Sequence, residues 1–113
     1  MAGFEAGVRQ RDGTAVVVLR GVLNAEADQA ITEAYTQAAA AKPSTILLTF
    51  DGVEYINSTG IALIVGILAQ ARKDGRAITA CGLAEHYREI FEITRLADFM
   101  QIYPDERAAL AGK

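Results

Sequence analysis

The sequence predicts a single α/β domain with a mixed, mostly parallel sheet of four to five strands and about four helices. Short runs rich in valine, isoleucine and leucine alternate with longer segments of helical periodicity. Asp-Gly and Pro-Ser pairs, which are typical turn signals, separate many of these segments. The length of 113 residues suits one domain with one core, and we assign residues 1–113 to it.

The chain opens with a predicted hairpin. Phe4–Gln10 alternates weakly and is predicted to be an edge strand, and Asp12-Gly13 is a favourable hairpin turn. Thr14–Arg20 is rich in β-branched residues and is predicted to be a strand that ends at Gly21. The hairpin adds one antiparallel strand to an otherwise parallel sheet.

A first helix follows the hairpin, with Asn24 as its predicted N-cap. Lys42-Pro43 ends it, because proline disfavours helical backbone in the residue before it. The helix has one apolar face, formed by residues at helical spacing: Ile31, Ala34, Tyr35 and Ala38. We expect this helix only to cover the sheet.

The central segment is predicted to be a buried strand, a loop and a second helix. Thr45–Phe50 contains the apolar run of a strand that is covered on both faces. Asp51-Gly52 is predicted to end it, and Val53–Ile56 to form a loop with apolar anchors. The helix that begins near Ser58 is apolar nearly all round, so it is either deeply buried or keeps part of its surface for a partner.

Three further elements follow Asp74-Gly75. A strand is predicted over Arg76–Cys81 and a helix over Glu85–Thr94. The side chains expected to face inward from this helix are Tyr87, Ile90, Phe91 and Thr94. Phe99–Tyr103 is predicted to be the last strand. A final helix is predicted over Asp105–Ala111, with Pro104 at its first position.

The run Asn57-Ser58-Thr59-Gly60 offers three N-cap residue types in succession at the start of the second helix. Two hydroxyl groups are therefore expected at a helix N-terminus, where free N–H groups and the macrodipole favour added negative charge. Taken alone, Ser58 and Thr59 would simply be helix-capping residues.

Several kinds of site are not supported by the sequence. A net charge of −3 and a pI near 5.1 argue against non-specific nucleic-acid binding. Cys81 is the one cysteine and His86 the one histidine, so a structural zinc site is not expected. We predict a buried Cys81, a solvent-facing His86 and no catalytic residues. Glycine forms neither a dinucleotide fingerprint nor a phosphate loop, so no cofactor is predicted.

The sequence also indicates where the protein works. No basic segment followed by an apolar one opens the chain, as it would in a signal peptide. The longest apolar run, Ile61–Ala69, is too short to span a bilayer. We therefore expect a cytoplasmic protein without direct membrane insertion. We also expect the domain to be monomeric.

Four stretches together resemble the STAS family, and within it the bacterial anti-sigma factor antagonists: GVLNAEA, TFDGVEYINSTGIALIV, DGRAITACGL and IFEITRLADFMQIYPDERAAL. The most specific is the match of Asn57-Ser58-Thr59-Gly60 to the family's Asp-Ser-Ser/Thr-Gly motif. The resemblance implies a signalling protein that binds an anti-sigma factor and thereby releases a sigma factor. It implies that the anti-sigma factor, a serine kinase, phosphorylates Ser58, with Thr59 as second choice, and that a PP2C-type phosphatase reverses this.

The resemblance also implies a docking surface around the phosphorylation site, for which we predict Glu54, Tyr55, Ile56, Asn57, Ser58, Thr59, Gly60 and Ile61. Asn57 departs from the family's aspartate. If the aspartate carboxylate orients the serine hydroxyl for the kinase, its loss slows phosphorylation. Alternatively, its loss relieves the repulsion between like charges and makes phosphoserine easier to accommodate.

Two other functions stay open for a chain of this family. One is a non-phosphorylated scaffold subunit of a lipid-transport ABC system or a stress-signalling assembly, which Asn57 and the apolar second helix allow. The other is a module that binds a nucleotide or another small ligand near Ser58, against which the missing phosphate loop counts. An enzyme is not expected.

Overall fold

The computed structural model describes residues 3–112, in which five strands form one sheet in chain order. The strands are β1 (Phe4–Arg11), β2 (Thr14–Leu23), β3 (Thr45–Ile56), β4 (Ala77–Cys81) and β5 (Gln101–Tyr103). The helices are α1 (Asp28–Ala40), α2 (Ser58–Lys73), α3 (Glu85–Ile93) and α4 (Glu106–Ala111). Two 3-10 turns, Ala25–Ala27 and Leu96–Asp98, precede α1 and β5.

The strand pairing confirms the predicted α/β class and the mixed sheet. β1 pairs with β2 antiparallel, and the other neighbouring strands pair in parallel. Each parallel connection carries a helix, as is usual for a crossover between parallel strands. The carboxyl ends of β2 and β3 therefore meet at one edge of the sheet, where α2 begins.

The two faces of the sheet are covered unequally. Val17, Leu48 and Phe50 belong to the main core, which they form with side chains of α1, α2 and α3. Val16 and Leu47, their neighbours in the strands, point to the opposite face and pack with residues of α4. This alternation explains why β2 and β3 are nearly continuous apolar runs.

The first helical segment agrees with the prediction in its cap and its buried face. Asn24 caps the 3-10 turn, accepting a hydrogen bond from the N–H of Glu26 at 3.0 Å. The four residues predicted to face the sheet from α1 are buried: Ile31, Ala34, Tyr35 and Ala38. The regular α-helix starts later than expected, at Asp28, because the 3-10 turn comes first.

The predicted loop over Val53–Ile56 is wrong, and so is the predicted strand end at Gly21. β3 continues through Asp51-Gly52, and its last residues pair with an equally extended β2, ending at Leu23 opposite Ile56. The register shifts on both sides of Gly21, whose φ of +97° suits glycine. Gly21 and Asp51-Gly52, which have the composition of turns, therefore lie within a long parallel strand pair as local irregularities of its register.

Two corrections concern the chain after α3. Thr94 does not face the core: it is exposed, and its hydroxyl donates to the carbonyl of Ile90 at 2.7 Å, after the last residue of the helix. Phe99 lies outside β5 and is 61% exposed. The reason is the 3-10 turn before it, which the sequence pattern did not reveal.

The final helix was also placed slightly wrongly at its start. Asp105 is the N-cap of α4, with its carboxylate accepting from the N–H of Ala108 at 2.8 Å. Pro104 therefore precedes the cap and is not the first helical residue. Within residues 3–112, no helix has the length and apolar character needed to cross a bilayer.

Candidate functional site

Asn57 connects the end of β3 to the start of α2 by three hydrogen bonds. Its side-chain Oδ1 accepts from the N–H of Gly60 at 2.8 Å, which makes it the N-cap among the three candidates of the run. Its own N–H donates to the carbonyl of Leu23 at 3.2 Å, and its carbonyl accepts from Ile61 at 3.0 Å. The first turn of α2 is thereby fixed to the end of β2.

Ser58 and Thr59 are the first two residues of α2, and both side chains are exposed. Within residues 3–112, the Ser58 hydroxyl makes no hydrogen bond, and neither residue's backbone N–H has an acceptor. Such N–H groups at a helix N-terminus favour a nearby negative charge. The site thus presents a free primary hydroxyl beside donors that suit an anion.

Gly60 is buried and allows α2 to start against the sheet. A β-carbon at this position would overlap the carbonyl oxygen of Leu23 and lie 3.1 Å from Cγ2 of Ile56. No other residue type leaves room for this approach without a shift of the backbone. The glycine of the motif is therefore explained by packing.

Tyr87 of α3 contacts the end of β3, next to the site. Its hydroxyl accepts a hydrogen bond from the N–H of Ile56 at 3.1 Å, immediately before Asn57. The neighbouring His86 ring packs on Tyr87 with a centroid distance of 5.1 Å. The helical spacing predicted that Tyr87 faces inward. It could not predict this contact, because the partners are 31 residues apart and no local pattern links them.

The eight residues predicted for the docking surface differ in accessibility. Ile56 is only 4% exposed and Gly60 is buried, so these two shape the site from within. Asn57 and Ile61 are half-buried. The exposed members, which we call the switch surface, are Glu54, Tyr55, Ser58 and Thr59.

The switch surface combines unlike groups. Tyr55 is 54% exposed and offers an aromatic ring, while Glu54 adds a carboxylate. Aromatic side chains are enriched at protein interfaces, where they bury a large area. An exposed aromatic ring together with exposed hydroxyl groups is suited to protein contact.

Other reactive groups lie apart from this arrangement or are inaccessible. Cys81 is buried in β4, as predicted, and burial raises the pKa of its thiol to about 12. His86 is exposed, also as predicted. Among residues 3–112, no three His, Cys, Asp or Glu side chains are grouped as metal ligands.

Comparison with known proteins identifies a match along most of the chain. A family model described as the STAS domain matches residues 5–109. The chain is 32% identical over 107 residues to a Bordetella bronchiseptica protein named "Putative anti-sigma factor antagonist BtrV". That alignment covers 90% of this chain and 89% of the relative.

Solved structures share the fold at lower sequence identity. An anti-sigma factor antagonist from Mycobacterium paratuberculosis superposes with a TM-score of 0.78 at 22% identity, covering 97% of this chain and 93% of the other. The Bacillus cell fate determinant SpoIIAA in its phosphorylated form gives a TM-score of 0.71 at 19% identity, covering 96% and 99%. These likenesses concern the fold.

Proposed function

Because the chain belongs to the STAS domain family, we propose that it is an anti-sigma factor antagonist whose binding is switched by phosphorylation of Ser58. The observation that carries the proposal is the free, exposed hydroxyl of Ser58 at the first position of α2. In this role the protein is a binding module, not an enzyme. A relative named as an anti-sigma factor antagonist supports the assignment along nearly the whole length of both chains.

In the unmodified state, the switch surface docks on an anti-sigma factor, which then releases its sigma factor. Tyr55 supplies buried area, and Ser58 and Thr59 supply small polar groups that tolerate close contact. The buried Ile56 and the tightly packed Gly60 hold these groups in place. The binding surface is thus formed in the free protein, and little ordering is required on association.

The modification is a phosphoryl transfer from ATP held by the anti-sigma factor, acting as a serine kinase. The Ser58 oxygen attacks the γ-phosphorus, ADP leaves, and the hydroxyl proton passes to the kinase or to solvent. A PP2C-type phosphatase later hydrolyses the ester and releases inorganic phosphate, which restores the hydroxyl. Thr59 is the alternative acceptor, one residue further into the helix.

Phosphorylation changes charge without requiring a change of fold. A phosphoserine adds about −1.5 to −2 charges at neutral pH. The free N–H groups of Ser58 and Thr59 favour that charge in the isolated protein. In a complex the same charge would lie within a desolvated contact, so affinity falls.

The test is titration calorimetry of Ser58→Asp and Ser58→Ala against the candidate anti-sigma factor. Ser58→Asp should lose about thirtyfold or more in affinity, since an unpaired charge in a contact costs on the order of 2–5 kcal/mol. Ser58→Ala should bind like the wild type and should not accept phosphate. Thermal melts should show little change in stability, by no more than about 1 kcal/mol, because an aspartate is also favourable at a helix start.

Ser44 provides a matched control, because it is the other serine of the chain and is also exposed. It precedes β3, at the end of the strand opposite Ser58. Ser44→Asp should therefore bind like the wild type. Intact-mass analysis of protein from its native cells, before and after phosphatase treatment, establishes whether Ser58 carries phosphate.

Asn57 favours a second candidate function, a non-phosphorylated scaffold subunit. The position that holds aspartate in the family motif has an amide here, and its Oδ1 is already engaged with Gly60. If Ser58→Asp binds the anti-sigma factor as tightly as the wild type, the switch is excluded. An unmodified native protein together with that result would favour the scaffold.

A further inference from the structure

A second surface feature lies along the C-terminal half of α2, on the side away from α1. It is an open groove of about 690 Å³ between α2, the start of β4 and the 3-10 turn Leu96–Asp98. We call it the distal groove. Its apolar side chains include Val65, Leu68, Ile78, Leu96 and Phe99.

The apolar lining is only partly satisfied by packing within the chain. Leu68 and Leu96 are 9% and 6% exposed and form the floor, whereas Val65 and Phe99 are 45% and 61% exposed at the rims. Large apolar side chains with this exposure on both rims of one groove indicate a binding surface when they are contiguous.

Two arginines, Arg72 and Arg76, line the same groove, and Arg72 gives it a positive charge that is unpaired in the described part of the chain. The Arg72 guanidinium lies 5.9 Å from the ring centre of Phe99 and forms no ion pair within residues 3–112. Asp98, the carboxylate of the lining, is already paired with Arg95 at 2.7 Å. An incoming acidic group would therefore meet an uncompensated cation.

Arg76 adds a donor that the described part of the chain does not satisfy. Its Nη1 lies 3.3 Å from a carboxylate oxygen of Asp74, and its Nη2 donates to the carbonyl of Ala39 at 3.3 Å. Its Nε is buried and has no hydrogen-bond partner among residues 3–112. The Arg76 charge is thus directed towards Asp74 and α1, so Arg72 is the cation available to an acidic ligand in the groove.

The distal groove continues the switch surface along one helix. Exposed residues of α2 recur at intervals of four and three, which places them on one stripe: Ser58, Ala62, Val65, Ala69 and Arg72. Small side chains at Ala62 and Ala69 leave this stripe open to close approach. At about 1.5 Å per residue, the stripe is about 21 Å long.

We propose that the distal groove is a second docking site, which receives an amphipathic helical segment of the anti-sigma factor that carries an acidic residue. The inference rests on the proposed function and names a further contact of the same partner. Apolar anchors of the segment pack on Val65 and Phe99, and its carboxylate pairs with Arg72. From Val65 to Arg72 the groove spans about two helical turns, the length over which helix-in-groove binding repeats its anchors.

The second site divides the interface into a switched part and a constant part. A phosphate on Ser58 acts at the beginning of α2, whereas the groove begins about two turns further along the helix and Arg72 lies about four turns away. Contacts made there are not opposed by the phosphate. The modified protein then retains weak affinity for its kinase, which the Ser58→Asp variant should show as well.

Titration calorimetry with the anti-sigma factor that binds the wild type tests this site. Arg72→Glu and Phe99→Ser should each lose about tenfold or more in affinity, because arginine and aromatic side chains dominate interface energetics. Both side chains are exposed, and unchanged thermal melts will show that the variants are folded.

Two matched controls make the same changes outside the groove. Arg107→Glu reverses a charge on α4, which covers the opposite face of the sheet. Ile93→Ser removes an apolar side chain that is 79% exposed but does not line the groove. Both should bind like the wild type.

Each contrary result has a distinct meaning. If Ser58→Asp loses binding while Arg72→Glu and Phe99→Ser bind like the wild type, the groove proposal is overturned and the proposed function stands. If the wild type binds no anti-sigma factor, both fail. Two further results would identify another occupant, provided that the variants keep the wild-type affinity for the anti-sigma factor. If the wild type sediments as a dimer and Phe99→Ser abolishes the dimer, the groove binds a second copy of this chain. If dodecanoate binds to the wild type and Arg72→Glu abolishes this binding, the groove binds a small anionic amphiphile.

Discussion

Asn57 and Tyr87 show how single polar atoms set the position of the Ser58 hydroxyl. Asn57 fills the N-cap with an amide oxygen, so the helix start is neutral where the family motif has a carboxylate. Asparagine and aspartate cap helices about equally well. The difference between them should therefore appear in the chemistry of Ser58 and not in the fold.

Asn57→Asp should raise the initial rate of Ser58 phosphorylation by the cognate kinase. A carboxylate next to the acceptor can orient the hydroxyl, and we expect about tenfold, below the roughly hundredfold or greater effect of a full general base. Initial rates measured with labelled ATP provide the comparison. Asn24→Asp, at the chain's other asparagine and also an N-cap, is the control and should have the wild-type rate. A rate for Asn57→Asp equal to or below the wild type's would show that the carboxylate is not needed.

Tyr87→Phe should loosen the end of β3 from α3. The substitution leaves the N–H of Ile56 without its acceptor while Ile56 stays buried, which costs about 1–3 kcal/mol in free energy of unfolding. Urea denaturation measures this loss, and amide exchange at Ile56 should become faster. Tyr55→Phe, at an exposed tyrosine, should change neither. Unaltered exchange at Ile56 in Tyr87→Phe would mean that the hydrogen bond does not hold the strand end.

At the scale of elements, the two inner glycines of α2 are placed in opposite environments. Gly60 lies against the carbonyl of Leu23, whereas a β-carbon at Gly66 would meet nothing within 4 Å. The helix therefore has one glycine that packing requires and one that it does not.

Gly60→Ala should destabilise the protein and Gly66→Ala should stabilise it. The added methyl group at Gly60 overlaps a backbone atom, and overpacking of this kind costs about 1–3 kcal/mol or more. At Gly66 the same methyl group should gain roughly 0.5–1 kcal/mol, the helix preference of alanine over glycine. The midpoints of urea unfolding will give both signs. Equal effects of the two substitutions would contradict the close contact of α2 with β2.

Local patterns predicted the types and order of the elements but misplaced some of their ends. The helical face of α1 and the start of α2 follow from spacing and capping within a few residues, so they could be read from the sequence. The extension of β3 to Ile56 could not, because it depends on pairing with β2 residues more than thirty positions away. Likewise, Asp51-Gly52 has the composition of a turn, yet tertiary pairing keeps it extended.

The geometry of the candidate site was predictable only where it is local. The capping run placed the start of α2 near Ser58, because capping is a local property, whereas phosphorylation of Ser58 follows from the family resemblance and stays a prediction. The support from Tyr87 and the need for a glycine beside Leu23 arise from contacts between distant segments. The sequence indicated the distal groove only through the excess of apolar residues on α2. The other rim of the groove could not be predicted, because it depends on the 3-10 turn Leu96–Asp98.

At the scale of the whole molecule, helices cover both faces of the sheet, and the reactivity of the Cys81 thiol measures how well its central strands are buried. The thiol lies in β4 on the face covered by α4. Burial, assisted by nearby carboxylates of which Asp51 is the strongest, raises its pKa from 9.0 to about 12. The thiolate form is therefore disfavoured in the folded protein.

Cys81 should react with Ellman's reagent at pH 8 about a hundredfold or more slowly in the folded protein than in concentrated urea. The pKa of Cys81 is higher in the folded than in the unfolded protein. Its contribution to the free energy of unfolding is therefore fully present below pH 9.0 and is lost as the pH rises towards about 12. Urea titrations across this range should show the decline. Similar reaction rates in both states would mean that the sheet opens easily around β4.

The close seating of α2 against β2 determines how long the proposed signal would last. The Gly60–Leu23 contact and the Asn57 hydrogen bonds leave the helix no room to slide, so phosphorylation would change the charge of the switch surface without moving α2. A signal carried by a conformational change decays in microseconds to seconds, as the conformations re-equilibrate. A signal carried by a covalent modification persists until the bond is broken. The memory of the signal would then be set by the hydrolysis of one ester, and mutations that alter folding rates would leave its duration unchanged.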